Sequence, residues 1–111
     1  MATRVSYHPQ FDKKLERLER KYPRASDEVL NLIDRLEVGA RPGDRIRGVG
    51  YTVYKVRLPN RAARRGKRGG FRVIYYAQFS DRVTLLTIYS KSEEIDISIA
   101  ENRQLVMEAE H

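Results

Sequence analysis

The apolar residues of this 111-residue chain change their period once, near residue 40, and that change limits the folds open to it. Before it they recur at helical spacing. Phe11, Leu15, Leu18 and Tyr22 mark one face of an amphipathic helix over residues 9–21, opened by Pro9 and closed by Pro23. Its other face, Asp12, Lys13, Glu16, Arg17, Glu19 and Arg20, has the composition of a solvated surface. Val29, Leu30, Ile33 and Leu36 mark a second helix. Ser26 is expected to cap it, with Asp27 and Glu28 favoured in the first turn by the helix dipole. Gly39 suits its end, and Pro42 blocks its continuation. Two helices so close in sequence form a hairpin.

From Tyr51 onward the period is two. Tyr51–Leu58 places Thr52, Tyr54, Val56 and Leu58 on one face, and Tyr51, Val53, Lys55 and Arg57 on the other. Phe71–Phe79 alternates Phe71, Val73, Tyr75, Ala77 and Phe79 against Arg72, Ile74, Tyr76 and Gln78, and Arg72 is expected on a polar side. After a tight turn at Ser80-Asp81-Arg82, Val83–Lys91 is apolar on both faces, the mark of a central strand. Val5 and Tyr7 indicate a short opening strand, and a last helix is expected from about Asp96. The order β-α-α-β-β-β-α predicts an α+β fold: an antiparallel sheet of about four strands, the helical hairpin on one face, and a C-terminal helix. No repeat or linker divides the chain, so one domain over residues 1–111 is expected.

Composition narrows the function. With 41% hydrophobic residues the chain can build a core. It has no cysteine, which excludes disulfide scaffolds, thiolate metal sites and cysteine nucleophiles. His8 and His111 lie at opposite ends, so no metal site and no cofactor is expected. No run approaches the roughly 20 apolar residues of a membrane helix. The N-terminus has no apolar signal core, and a cytoplasmic protein is the expectation. The net charge is +7, and it is concentrated. Residues 41–72 hold eleven lysines and arginines against Asp44 alone, whereas the tail from Glu93 is acidic. A field of this kind attracts polyanions, nucleic acid first. The acidic tail is expected to cover part of the basic face in the free chain. Arg72 pairing with Glu93 or Glu94 is the alternative to a functional role for it.

Three segments carry a resemblance. Tyr54-Lys55-Val56-Arg57-Leu58 fits Y-K-x-[KR]-L, Gly70-Phe71-Arg72-Val73-Ile74-Tyr75 fits G-[FY]-R-[VL]-x-Y, and Tyr89-Ser90-Lys91-Ser92-Glu93 fits Y-x-K-S-E. In this order, after a helical hairpin, they resemble the RelE/ParE superfamily of bacterial toxin–antitoxin toxins, most closely its RelE/HigB-like branch. The resemblance runs over nearly the whole chain from about residue 7. It implies a RelE-like fold and a toxin held inactive by a cognate antitoxin, monomeric when free and hetero-oligomeric with that partner. It also implies action on the ribosome, against 16S rRNA and the mRNA in the A site, as a ribosome-dependent mRNA endonuclease. One alternative is a ParE-like inhibitor of DNA gyrase, which would arrest growth with mRNA intact. The other is a catalytically inactive RNA- or ribosome-binding relic.

The residues suit metal-independent cleavage by 2′-OH attack. That chemistry needs a base, charge at the phosphorane and a proton for the departing 5′-oxygen. Without paired histidines, lysine, arginine and tyrosine must serve. Lys55 and Arg57 share a strand face, and a lysine packed among cations is a candidate base. Arg72 is the candidate for gripping the phosphate, since guanidinium matches it bidentately. The resemblance implies the same roles for Lys55, Arg57 and Arg72, and adds Lys91 at the end of the last strand. The family's following arginine, and its tyrosine about seven residues past the lysine, are replaced here by Ser92 and Ser98. Tyr89 is the candidate substitute, with Tyr76 the other. Arg61, Arg64, Arg65, Lys67 and Arg68, in a Gly/Pro-punctuated loop, are candidate RNA-phosphate contacts.

Overall fold

Proline at the first helical position and a histidine cap start the first helix where the sequence places it. The computed structural model describes residues 2–60, 70–93 and 96–110. A strand β1 (Arg4–Tyr7) leads to α1 (Pro9–Lys21), where the His8 ring Nδ1 accepts the Gln10 N–H at 2.9 Å. The Ala25 N–H then donates to the Tyr22 carbonyl at 2.9 Å, so the chain turns directly into α2 (Ala25–Glu37). Arg24 is therefore the cap residue and makes no side-chain cap bond, and Ser26 falls inside the first turn instead of capping it. At the other end Gly39, with φ 99°, donates to the Leu36 carbonyl and closes α2 as expected.

The remaining strands are β2 (Asp44–Arg45), β3 (Val53–Leu58), β4 (Phe71–Phe79) and β5 (Arg82–Ser90), followed by α3 (Ile99–Glu110). They form one sheet with β1, in the order β1-β5-β4-β3-β2. The sheet has five strands where about four are expected, because the two residues of β2 pair with Lys55 and Tyr54 at the edge. The neighbours among β2, β3, β4 and β5 are antiparallel, whereas β1 runs parallel to β5. Parallel pairing is possible here because a long crossover, everything from α1 to β4, connects the two strands. Among the described residues, no helix is long and apolar enough to cross a membrane.

The sheet is covered on both faces. Phe11, Leu18, Val29, Leu32 and Leu36 of the helical hairpin pack on Val56, Leu58, Phe71, Val73, Tyr75, Leu85 and Ile88. On the opposite face Leu105 and Val106 of α3 join Val53, Ile74, Tyr76, Leu86 and Tyr89. β5 contributes to both clusters, as a central strand must. Gly43, φ 96°, lets β2 approach β3, because a Cβ there would collide with the Lys55 carbonyl and the Val56 Cα.

Two glycines separate backbone strain from close approach. Gly39→Ala, with open space at its Cβ position, should lose about 1 kcal/mol for its left-handed φ alone. Gly43→Ala adds the collision with β3 and should lose about 2 kcal/mol or more. Urea unfolding of the two variants measures the difference, and equal losses would contradict the close approach.

Candidate active site

Register brings the basic residues together. Across β3 and β4 Arg57 faces Arg72, and across β4 and β5 Arg72 faces Tyr89. Directly opposed residues of antiparallel strands point to the same side, with Cβ atoms about 5 Å apart. Lys55, two residues before Arg57, shares that side. The row thus crosses three strands on the α3 face of the sheet. Arg57 is exposed, but Arg72 retains only 7% of its accessible surface. This corrects the expectation of a polar side for that strand: Ile74 and Tyr76, which share the side with Arg72, are buried against α3. Burial lowers the Arg72 pKa from its ordinary value, and the Arg57 charge lowers it further.

A carboxylate gathers the rest of the cluster. Ser98 caps the next helix: the Glu101 N–H donates to Ser98 Oγ at 3.1 Å, and Ser98 Oγ in turn donates to Glu101 Oε1 at 3.4 Å. α3 therefore begins at Ile99, three residues later than expected from the sequence, and Asp96 stays outside it. Tyr89 OH donates to Asp96 Oδ1 at 2.7 Å, while Lys55 Nζ and Lys91 Nζ lie 3.4 and 3.3 Å from Oδ2. The Tyr89 hydrogen bond is the main cause that brings the Asp96 carboxyl down to about 2, and Lys91 and Lys55 add to it against the opposing effect of burial. Lys91 follows the last residue of β5, and its N–H donates to the Gly70 carbonyl at 3.1 Å. Gly70, φ 71°, packs there against the Leu58 carbonyl, which a Cβ would meet at 2.6 Å.

Lys55, Arg57, Arg72, Tyr89 and Lys91 thus meet on one face. Asp96 was missed as a member of the group. The sequence signal for it was the acidic tail, whose expected covering of the basic face is made here by one residue. Glu94 lies outside the described residues, and three other tail acids go elsewhere. Glu93 pairs with Lys21 at 2.6 Å, and that contact raises the Lys21 pKa. Glu108 meets His8 Nε2 at 2.9 Å. Glu110 accepts from Tyr76 OH at 2.5 Å, and Tyr76, pushed up to about 12 mainly by burial, lies away from the cluster. Of the two tyrosines, Tyr89 is the one that the fold places in this cluster. The structure also alters the setting of Lys55, which has a carboxylate beside it as well as cations. Arg61, Arg64, Arg65, Lys67 and Arg68 lie outside the described residues. Among the described residues, no group of three His, Cys, Asp or Glu side chains is placed to hold a metal ion. What remains is a surface that can bind a phosphate through two guanidiniums, and that carries three side chains able to exchange a proton.

A family model described as the RelE toxin of the RelE / RelB toxin-antitoxin system matches residues 11–111. The fold is similar to that of a double arginine-to-alanine mutant of the Escherichia coli toxin RelE in the free state. The TM-score is 0.57 at 17% identity, over 98% of this chain and 95% of that one.

The Tyr89–Asp96 bond can be tested alone. In Tyr89→Phe the Asp96 carboxyl should titrate above its value of about 2, moving toward 3.8. Its ionised form is favoured in the folded chain, so the stability it supplies is complete above the unfolded pKa and fades as pH falls toward 2. Carboxyl carbon NMR titration of both proteins measures this, and an unmoved titration would contradict the assignment.

Proposed function

Because the chain belongs to the RelE toxin family, we propose that it is the toxin of a type II toxin–antitoxin pair and cuts mRNA on the ribosome, as one RelE-like domain spanning residues 1–111. The observation that carries the reading is the cross-strand row Arg57, Arg72 and Tyr89, with Lys55 and Lys91 beside it. The row is rigidly based, since its backbone positions belong to the sheet, and sites on such elements hold geometry well.

The reaction is attack of the 2′-oxygen on the adjacent phosphorus. The bond from phosphorus to the 5′-oxygen breaks, leaving a 2′,3′-cyclic phosphate and a 5′-hydroxyl. One proton leaves the 2′-OH, and one joins the departing oxygen. Arg57 and Arg72 neutralise the non-bridging oxygens as charge builds on the phosphorane. The proton transfers fall to Lys55, Lys91 and Tyr89, because arginine keeps its proton. The loop arginines and lysine, Arg61, Arg64, Arg65, Lys67 and Arg68, supply sequence-independent contacts to 16S rRNA and mRNA phosphates. The reaction calls for no cofactor. A cognate antitoxin restrains the chain by binding its basic surface, for which an acidic or amphipathic partner is suited.

Induction in a bacterial host, with mRNA 5′ ends mapped within minutes, tests the reading. Cuts inside translated frames should appear with the wild type. Arg72→Ala, checked for an unchanged melting transition, should cut about 10²–10³-fold more slowly. Growth arrest without cuts would overturn the nuclease reading and favour a target such as gyrase, whereas ribosome binding with no arrest would favour a relic.

A further inference from the structure

The Asp96 carboxylate sits where a cation cluster would be expected to hold a substrate. Its two oxygens collect Tyr89 OH, Lys55 Nζ and Lys91 Nζ, three groups from β3, from β5 and from the turn after it. They converge on one anion from separate parts of the fold, as donors converge on the non-bridging oxygens of a phosphate.

We propose that these three groups form a phosphodiester subsite beside the Arg57–Arg72 grip, and that Asp96 fills it until an RNA backbone phosphate takes its place. The proposal rests on the nuclease reading above for the identity of the ligand as RNA. Its support is local. Asp96 lies outside α3, ahead of the Ser98 cap, so the carboxylate can withdraw without unwinding the helix. Its side chain is 45% exposed, which leaves the subsite reachable from solvent. An RNA phosphate carries both non-bridging and bridging oxygens and can engage the arginine grip and the subsite together, whereas the Asp96 carboxylate offers two oxygens.

Competition of this kind lowers apparent affinity by the fraction of time the subsite is free. The test is Asp96→Asn, which keeps an oxygen for Tyr89 and removes the charge. Binding of inorganic phosphate is measured by calorimetry, and binding of a short 2′-O-methyl RNA, which cannot be cleaved, by fluorescence anisotropy. Both should tighten about tenfold relative to wild type. The gain should disappear when Lys55→Gln and Lys91→Gln are added to Asp96→Asn. Unchanged or weaker binding in Asp96→Asn would overturn the proposal and leave Asp96 as a structural partner of the lysines. A gain that survives the two lysine substitutions would also overturn it, by placing the phosphate elsewhere. Neither probe is cut, so the result stands whether or not the wild type cleaves mRNA. Tighter phosphate binding in a chain that makes no cuts would uphold the subsite and reject the nuclease.

Discussion

Arg57 and Arg72 face each other on neighbouring strands, and like charges in that position repel. The arrangement persists because the strands that carry them are fastened for other reasons. Val56, Leu58, Phe71 and Val73 are buried beneath the helical hairpin, and Val53, Ile74 and Tyr76 beneath α3. The two clusters set the register of β3 against β4. A slip of one residue would turn every apolar side chain to the wrong face, so the cationic pair cannot relax by sliding apart. The favourable interaction between Asp96 and Arg72 compensates part of the repulsion in the closed arrangement.

The same constraint separates what could be read in the sequence from what could not. The limits of α1 and of β4 follow from local signals, Pro9 and the alternation of residues 71–79, and the structure places both elements at those limits. The grouping of Lys55, Arg57 and Arg72 was also legible, because strand alternation and an antiparallel neighbour suffice to set it. Burial of Arg72 was not, since it depends on α3, whose packing is remote in sequence. The start of α3 was misplaced because Asp96 and Ser98 are both good helix-starting residues, and the choice goes to Ser98 through its reciprocal bonds with Glu101. The consequence reaches the site: were Asp96 the cap, its carboxylate would bond backbone N–H groups and not Tyr89. The parallel pairing of β1 had no local signal, because it joins segments 78 residues apart.

The acidic tail shows how a composition argument resolves into single contacts. A net negative stretch beside a basic one suggests broad electrostatic cover. In the fold the acids act one by one. Glu101 accepts from the Ser98 hydroxyl that caps α3, Glu108 meets His8, Glu110 accepts from Tyr76, and Asp96 reaches the cationic row. Arg103 ties the same helix to the carbonyls of Gly48 and Val49 at 2.8 and 3.0 Å. α3 is thus anchored along its length by polar side chains.

On the proposed reading, a phosphate of mRNA lies on the sheet face between Arg72 and the Lys55, Lys91 and Tyr89 group. A cryo-EM structure of the chain on ribosomes, with A-site mRNA carrying 2′-O-methyl groups to prevent cleavage, tests it most directly. A backbone phosphate is expected within hydrogen-bond reach of the Arg72 guanidinium, with Asp96 withdrawn from Lys55. An mRNA path that leaves this face empty, with Asp96 still bound to Tyr89, would contradict it.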